Sequence, residues 1–456
     1  MNKIISIVDN SINRDSRVRK QAFAVSAALE CDFSIYGIVD EYEPLASSFL
    51  DGKVKMRRLP MKSLKYFIPQ LVASTYLFFF FFCFLIACAL FAYYFFFQSV
   101  FVLILGIVIL TLRYFKKVSL TNFLLFFLPK QARDDLRNIC LIQLKSLQLS
   151  IVFYPFLKEE IPSIIHAHDV PMLTVASYFK RKHDVKIIFD SHELFEHMYG
   201  RGWLFQFYFK RYIAKLILNI DGFITVNDSI LKYYLDNYKG FKSGVVVKNA
   251  ISSSEFRSHS KSQVLRRELG ISNDKKILLY QGGITPPRGL ESLIDASRFI
   301  SGEWVIVLMG WGSHLQALVQ LSQRIGSYRK NVFFLDPVRN DVLIDWTSGA
   351  DVGIIPYLNN CLNHYYCTPN KLWEFPVAGV PILAPDYPEL GKIVKTYDIG
   401  WTVDRMSGER IAELLNSLSI EEIKAKINNI PAFLEVEGWS TYEKKLLRLY
   451  SSLMEN

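Results

Sequence analysis

The chain has 456 residues, 51% of them hydrophobic and 14% aromatic, and a formal net charge of +10. This length exceeds what one compact core normally fills, and it predicts two domains with length left over for an insertion or a tail. The composition is globular, which excludes a largely disordered chain, and the positive charge indicates an anionic partner: a nucleic acid, an anionic membrane face or a phosphorylated substrate.

The cysteines indicate the redox setting. They form no C-x-x-C pair and no metal-ligand spacing, so a reduced cytosolic setting is favoured over a disulfide framework. The N-terminal "MNKIISIVDN" is typical of a first strand and lacks the features of a signal peptide. The six cysteines are Cys31, Cys83, Cys88, Cys140, Cys361 and Cys367.

Residues 66–112 contain no Asp, Glu, Lys or Arg. One bilayer crossing takes about 20 apolar residues, so this span is long enough for two crossings or a deep re-entrant hairpin, with a buried core helix as the alternative. Basic residues on both sides predict that both ends are cytoplasmic. They are Lys53, Lys55, Arg57, Arg58, Lys62 and Lys65 before the span, and Arg113, Lys116, Lys117 and Lys130 after it.

Outside this span, short β-rich runs alternate with helical stretches such as "SRVRKQAFAVSAAL". The runs in the first half are "KIISIVD", "FSIYGIV", "IIHAH", "KIIFDS" and "GFITVN". After "VVVKNAISSSEF", which has the character of a connector, the alternation resumes with "KILLYQGG", "WVIVLMG", "VFFLD", "VGIIPY" and "PILAPD". This pattern predicts two doubly wound parallel-sheet domains, with a boundary near 248–254.

Ligands of such sheets bind outside the carboxyl ends of the strands, so the loops that follow strands are the candidate sites. The loop after the first strand carries Asp15, expected to cap the next helix, and Arg17, which could meet an anion or be merely solvated. The motifs "HAHD" (166–169) and "DSHE" (190–193) each end a strand with a histidine beside a carboxylate. Two such endings in consecutive units favour a functional role over a structural one.

The first loop of the second half, "YQGGITPPRGLESL", carries Gly282, Gly283 and Arg288. The glycines allow close approach of the backbone to a ligand, and the arginine can grip a phosphate with two parallel hydrogen bonds. The spacing is neither that of a P-loop nor that of a dinucleotide fingerprint. The later "MGWG", with Gly310, is weaker evidence.

The stretch "NHYYCTPNKLWEF" indicates the start of a helix. Thr368 suits the N-cap, Pro369 the first helical position, and Asn370 and Lys371 the next two. The first amides of a helix lack intrahelical partners and can bind a phosphate, and Glu374 shares a face with the lysine. An ordinary capped surface helix is the alternative.

Taken together and in order, "DSRVRKQA", "IIHAHDVP", "IIFDSHELF", "YQGGITPPRGL" and "HYYCTPNKLWEFPVAGVPILAPDYPEL" resemble glycosyltransferase family 4, the retaining nucleotide-sugar transferases of GT-B fold. The resemblance covers nearly the whole chain except the apolar span. It implies two Rossmann-like α/β domains facing a cleft, with the acceptor on 1–248 and the nucleotide-sugar on 249–430. It also implies that 431–456 returns to the first domain as a helix. The apolar span with its flank, 66–128, then interrupts the first domain as an inserted membrane hairpin.

Position by position, the resemblance implies that Glu374 binds the ribose, that Arg288 faces the diphosphate and that His192 lies near the transferred sugar. The loop 336–339 matches the segment beside the base. The implied catalytic residues are His192, Arg288, Lys371 and Glu374. The implied donor site comprises Gly282, Gly283, Arg288, Gly310, Val338, Thr368, Pro369, Asn370, Lys371 and Glu374. The implied acceptor side comprises Asp15, Arg17, His168 and Glu193.

Two positions depart from the family pattern. Tyr366 stands where a first glutamate is common, eight positions before Glu374, and Gly283 stands where an arginine often follows the first glycine. The "PNKL" form resembles a branch without that first glutamate. We expect Lys371 to supply the positive charge that Gly283 does not. No carboxylate cluster indicates a required divalent ion, so neither a metal nor a cofactor is expected.

These observations predict a membrane-attached retaining hexosyltransferase that moves a sugar from a nucleotide-sugar to a lipid-linked acceptor, such as a polyprenyl-diphosphate oligosaccharide, in envelope polysaccharide or glycan synthesis. The expected location is the cytoplasmic face of the cell inner membrane, with both catalytic domains cytoplasmic. One alternative is a catalytically silent scaffold of the same fold, which loss of His192, Arg288 and Glu374 would have favoured. Another is a nucleotide-sugar epimerase, which would not need a hairpin. No nucleic-acid recognition motif is present.

Overall fold

The computed structural model describes most of the chain on both sides of the apolar span. Apart from residue 128, the expected membrane hairpin and flank (66–128) lie outside the described residues. The described residues are 2–12, 15–39, 48–50, 53–59, 128–241, 243–256 and 261–455.

The first half forms one sheet of mostly parallel strands. Its strands are β1 (Asn2–Ile7), β2 (Cys31–Ile38), β3 (Ser48–Leu50), β4 (Val54–Leu59), β5 (Ile164–His168), β6 (Lys186–Ser191), β7 (Gly222–Thr225) and β8 (Val245–Val246). The order across the sheet is β3-β4-β2-β1-β5-β6-β7-β8, and the β3–β4 pair is antiparallel. Strands such as β5 are buried along their whole length, as expected for a parallel sheet covered by helices on both faces.

The second half forms a parallel sheet of its own. Its strands are β9 (Lys276–Gln281), β10 (Trp304–Met309), β11 (Val332–Leu335), β12 (Val352–Ile354), β13 (Ile382–Pro385) and β14 (Gly400–Val403). Their order, β11-β10-β9-β12-β13-β14, is that of a dinucleotide-binding fold. Successive strands are added on one side of β9 up to β11 and then, from β12, on its other side. The predicted class of two doubly wound α/β domains is therefore confirmed.

Helices connect the strands and cover both sheets. In the first half they are Ser16–Ala28, Lys130–Glu160, Asp169–Lys180, Trp203–Ile217 and Asp228–Asn237. In the second half they are Val264–Leu269, Glu291–Ala296, Leu315–Ile325, Leu343–Thr347, Leu362–Tyr365, Lys371–Val377, Leu390–Thr396, Gly408–Ser417, Ile420–Glu437 and Trp439–Glu455. Short 3-10 turns occur at Phe195–His197, Ser253–Glu255 and Pro286–Arg288.

Strand β4 was not predicted, because its basic residues were interpreted as the flank of the apolar span. The alternation in "VKMRRL" turns Val54 and Met56 into the core, and β4 pairs in parallel with β2. Its Lys55 Nζ lies 3.5 Å from Glu160 Oε1, so part of the flanking charge is paired within the domain. The expected connector at 245–256 likewise begins as β8, which pairs with β7.

The last helix, Trp439–Glu455, lies against the first domain. The Tyr450 hydroxyl is 2.7 Å from His166 Nδ1, and Lys186 Nζ donates to the carbonyl of Leu453 at 2.6 Å. The preceding helix, Ile420–Glu437, still contributes Ile423 to the core of the second domain. Contact with the first domain begins before the last helix, because Lys248 Nζ donates to Glu437 Oε2 at 2.9 Å.

Within the part of the chain that the structure describes, one helix, Lys130–Glu160, is long and apolar enough to cross a membrane by length and composition. A core helix can pass the same test. This helix packs its Phe153 and Leu157, both fully buried, into the core of the first domain.

Candidate active site in the interdomain cleft

A cavity of about 700 Å³ lies between the two domains, at the carboxyl ends of both sheets. Most of the residues predicted for the site line it, although they come from distant parts of the chain. The predicted residues in its wall are His192, Glu193, Gly282, Gly283, Arg288, Gly310, Val338, Thr368, Pro369, Asn370, Lys371 and Glu374. Asp15, Arg17 and His168 are not part of the wall.

In the second domain, Glu374 is held in place by a chain of hydrogen bonds. Gln281, the last residue of β9, donates its Nε2 to Glu374 Oε2 at 2.8 Å. The Oε1 of the same glutamine accepts from Thr347 Oγ1 at 2.7 Å. A carboxylate fixed in this way is preorganised to accept from a ligand hydroxyl.

Lys371 contributes a positive charge to this wall. Its Nζ lies 5.3 Å from the ring centroid of Tyr280 and 5.8 Å from that of Tyr357. Burial lowers the pKa of Lys371 to about 8, although Glu374 acts in the opposite direction. A Cβ at Gly282 would lie 2.8 Å from this Nζ, so the glycine leaves the space that the amine occupies.

Arg288 stands beside the lysine, at the end of the Pro286–Arg288 turn. Its Cζ lies 4.3 Å from the ring centroid of Tyr357, an arrangement in which the ring face attracts the cation and fixes its orientation. The wall therefore presents two cations supported by the same tyrosine ring.

The predicted helix start is displaced. The helix begins at Lys371 and Asn370 occupies the N-cap position, so Thr368 is not the cap. Thr368 instead accepts from Asn227 Nδ2 at 3.2 Å and donates to the Val226 carbonyl at 3.4 Å, because it is buried against a loop of the first domain. Phosphate binding by the amides of Asn370 and Lys371 stays a prediction.

The first domain contributes His192, the residue after β6. Its Nε2 lies 3.0 Å from His168 Nδ1, and its Nδ1 lies 3.5 Å from Asp169 Oδ2. Burial by itself would lower the pKa of His192, but Asp169 and Asp190 raise it to about 9. This shift favours the protonated ring, whose Nε2 faces His168 and whose Nδ1 is the nitrogen left for a ligand.

His168 lies behind His192 rather than on the open acceptor side. Burial, followed by His166, lowers the pKa of His168 well below its usual range, so this ring is neutral. Because the charged His192 ring donates, His168 Nδ1 accepts and its Nε2 is left to donate to Ser6 Oγ at 2.9 Å. The two predicted histidine motifs are therefore joined directly.

Arg17 does not meet an anion from outside, which corrects the prediction. Its guanidinium donates to both carboxylate oxygens of Asp190, at 3.1 and 2.8 Å, and to the Val247 carbonyl at 2.6 Å. Burial would raise the pKa of Asp190, but Arg17 holds it well below its usual range. Asp15 caps the helix Ser16–Ala28 as expected, by accepting from Val18 N at 3.2 Å.

The donor atoms of His166, His168 and Asp190 lie within 4.8 Å of one another, a spacing that could hold a metal ion. Arg17 already pairs with this carboxylate in a fully buried setting. A divalent cation bound there would lie close to that guanidinium at low dielectric, where two positive charges repel strongly. We therefore assign no metal to these residues.

Sequence reasoning missed several residues of the cavity wall and of the contact between the domains. Met198 and Tyr199 line the cavity from the first domain, and Asn363 lines it from the second. Asn363 Oδ1 also accepts from Leu194 N at 2.9 Å, which joins the domains beside the cavity. Gln281 could have been found, because it ends a strand directly before the glycine pair.

Two family models match the chain. Residues 137–255 match Glycosyltransferase Family 4, and residues 275–419 match Glycosyl transferases group 1. They fall on the first and the second domain, respectively.

Two curated relatives match parts of the chain. The Escherichia coli (strain K12) protein named "Putative colanic acid biosynthesis glycosyl transferase WcaI" is 25% identical over 190 residues, 39% of this chain and 44% of that protein. The "Uncharacterized glycosyltransferase MJ1607" of Methanocaldococcus jannaschii is 26% identical over 228 residues, 46% of this chain and 54% of that protein. The matches thus span about half the length of these relatives.

Solved structures share the fold along the whole chain. Sucrose-phosphate synthase from Thermosynechococcus elongatus aligns over 100% of both chains with a TM-score of 0.68 and 13% identity. Anabaena Alr3699/HepE, solved in complex with UDP-glucose, aligns over 99% of this chain and 100% of its own with a TM-score of 0.63 and 12% identity. The family models, the curated relatives and this fold together support a glycosyltransferase of the GT-B fold.

Proposed function

We propose that the protein transfers a sugar, with retention, from a nucleoside diphosphate sugar to a lipid-linked acceptor. The observation that carries this proposal is the composition of the cleft. Two cations and a fixed carboxylate from the second domain face a protonated histidine from the first across one cavity.

The second domain suits a nucleoside diphosphate. As the sugar–phosphate bond breaks, negative charge grows on the leaving diphosphate, and Arg288 and Lys371 stand ready to stabilise it without reorganisation. Glu374, oriented by Gln281, accepts from a ribose hydroxyl. The HepE structure with UDP-glucose supports this class of donor through its shared fold.

The first domain suits the transferred sugar. The protonated His192 donates its Nδ1–H to a sugar oxygen, and Asp169 and Asp190 favour its charged form. Glu193, the next residue, also lines the cavity, and we assign it to the acceptor hydroxyl.

The membrane part of the proposal rests on the sequence of 66–112. A span this long without charge supports insertion, and insertion places the cleft where a lipid-linked acceptor is available. The name of WcaI concerns colanic acid, and we extend to this chain only the wider class of polysaccharide or glycan synthesis at the cytoplasmic face of the inner membrane.

A donor screen tests the proposed function. The full-length protein in detergent is heated with UDP, GDP and their hexose conjugates. A ligand that binds only the folded state stabilises it by RT ln(1 + [L]/Kd) and thereby raises the unfolding temperature. We expect one nucleoside diphosphate to stabilise the wild type and to lose most of this effect in Glu374→Ala. Glu409→Ala, at an exposed position outside the cavity wall, is the matched control.

The stabilising donor is then supplied with a membrane lipid extract, and sugar incorporated into the lipid phase is measured. Failure of every nucleotide to stabilise the protein, or donor binding without transfer to any lipid fraction, would contradict the proposal.

A further inference from the structure

The helix Trp203–Ile217 carries large aromatic side chains on its exposed face. One face is core, with Phe205 and Phe209 fully buried. On the opposite face Trp203 is 69% exposed and Phe207, one turn later, is 54% exposed. Aromatic rings grouped in this way on a soluble surface usually mark a contact with an apolar partner.

The charge of the same segment has one sign. Residues 201–215 contain Arg201, Lys210, Arg211 and Lys215 and no acidic residue. The Arg211 Cζ lies 3.7 Å from the ring centroid of Phe207, so a cation covers the ring while leaving half of it exposed. Helices that lie in a membrane interface combine aromatic residues, which enter the apolar layer, with lysine and arginine, which pair with anionic headgroups.

The helix is held at a fixed orientation by a residue from another helix. Asp135 is fully buried and accepts from the backbone N–H of Gly202 at 2.8 Å and from that of Phe205 at 3.2 Å. A Cβ at Gly202 would lie 2.5 Å from the Asp135 carboxylate, so the two residues fit together only with glycine. These contacts hold the start of the helix in one orientation on the domain.

The exposed face of this helix begins close in the chain to residues of the cavity wall. Met198 and Tyr199, just before the helix, both line the cavity, and Tyr199 is half exposed. Gly200, with a φ of +77°, turns the chain from the cavity wall towards the helix. Tyr199, four residues before Trp203, therefore connects the cavity wall with the start of the exposed helix face.

We propose that Trp203, Phe207, Lys210 and Arg211, the aromatic–basic face, lie on an anionic phospholipid bilayer, and that a membrane-held acceptor enters the cavity past Tyr199. The bilayer is the occupant that fits best because it offers both an apolar layer for the rings and phosphates for the cations. The acceptor half of this inference rests on the proposed function; the docking half does not.

Photocrosslinking tests the docking half. The full-length protein, with p-benzoylphenylalanine in place of Phe207, is reconstituted into vesicles of phosphatidylcholine with phosphatidylglycerol, irradiated and analysed by mass spectrometry. We expect a phospholipid adduct at this position. The matched control carries the same photoreactive residue in place of Phe299, which is 46% exposed on the second domain and is expected to capture no lipid.

Charge reversal separates docking from mere proximity to the membrane. Lys210→Glu combined with Arg211→Glu should lower the adduct yield on anionic vesicles by about fivefold for each of the two cations lost. The yield on vesicles of phosphatidylcholine alone should not change. Lys424→Glu, at an exposed position of the second domain, is the control.

Three outcomes would overturn the inference: no lipid adduct at position 207, an adduct with a second copy of the chain, or an adduct with residues 60–127 of the same chain. The crosslink requires no sugar transfer. A protein that captures lipid but transfers no sugar would contradict the proposed function and leave the docking surface intact, whereas sugar transfer without capture would refute the docking surface alone.

Discussion

Lys371→Ala tests whether the cleft stabilises a departing diphosphate. The amine lines the cavity next to Arg288, and one charge-assisted hydrogen bond of this kind contributes roughly 1.5–3 kcal/mol. If the bond strengthens as the diphosphate leaves, its loss lowers kcat/KM about tenfold to a hundredfold. The assay is the steady-state release of nucleoside diphosphate with the donor found by the thermal screen. Lys392→Ala, at an exposed position outside the wall, is the control.

A second substitution tests whether the lysine replaces a charge missing at Gly283. Among the described residues, no heavy atom lies within 4 Å of an ideal Cβ at Gly283, so a side chain can begin there without a clash. Gly283→Arg in the Lys371→Ala background should restore part of the lost kcat/KM. Gly282→Arg should restore none, because the φ of +114° at Gly282 strains any side chain. Wild-type kinetics for Lys371→Ala would refute the role of the amine. A loss of kcat/KM that Gly283→Arg does not restore would refute only the idea that Lys371 replaces a charge missing at Gly283.

The pH profile gives an independent reading of the same charge. Burial lowers the pKa of Lys371 to about 8, so its charge is present below that pH and is lost as the pH rises through it. The kcat/KM of the wild type, which reports the free enzyme, should therefore fall above about pH 8. The rescued variant carries an arginine that stays charged, so its profile should lack this fall and keep only the later one from His192, near pH 9. Identical profiles for the two proteins would contradict the reasoning.

Three further results are expected. His192→Ala should lower kcat at least tenfold, because the histidine lies across the cavity from the cations. The Kd for the nucleoside diphosphate, measured by calorimetry, should change less than threefold. Loss of nucleotide binding with kcat intact would show that His192 does not act near the sugar. Asp135→Ala should lower the free energy of unfolding by about 1–3 kcal/mol, because two backbone N–H groups at the start of the helix Trp203–Ile217 lose their acceptor. A denaturant titration measures this change, and Asp134→Ala, at an exposed position, is the control. Equal stability of the two variants would refute the role of Asp135 at the helix start. Alkaline carbonate and high salt should leave the full-length protein in the membrane fraction, since a buried hairpin is not released by screening charge; release into the supernatant would contradict insertion.

The local pattern of the chain determined the regular elements closely. Buried parallel strands are typically rich in apolar residues, and the predicted runs Ile164–His168 and Lys186–Ser191, each with two adjacent isoleucines, have the bounds that the structure shows. Because parallel strands all end at the same edge of a sheet, the loops after them were predicted as the site. His192, Arg288 and Glu374 indeed line one cavity.

The errors have a different character. The alternation of apolar and polar residues in Val54–Leu59 indicates a strand, but its basic residues led us to interpret it as the flank of the apolar span. In the structure the segment pairs with β2, and Lys55 forms an ion pair with Glu160. Thr368 had the chemistry of a helix cap, yet a loop of the first domain lies close enough to take its hydroxyl. In both cases the chemistry of the side chain was recognised from the sequence, but the group that it contacts in the fold was not.

The sequence by itself determined the α/β class, the two sheets and the set of loops that carry the chemistry, because these depend on periodicity over a few residues. The tertiary structure alone decided which groups meet. Arg17 and Asp190 are 173 positions apart, and their bond converts an apparent anion-binding arginine into the support of a buried carboxylate beside His192. Such a pairing depends on strand order and on the packing of helix against sheet, and no pattern within either segment encodes the distance between them.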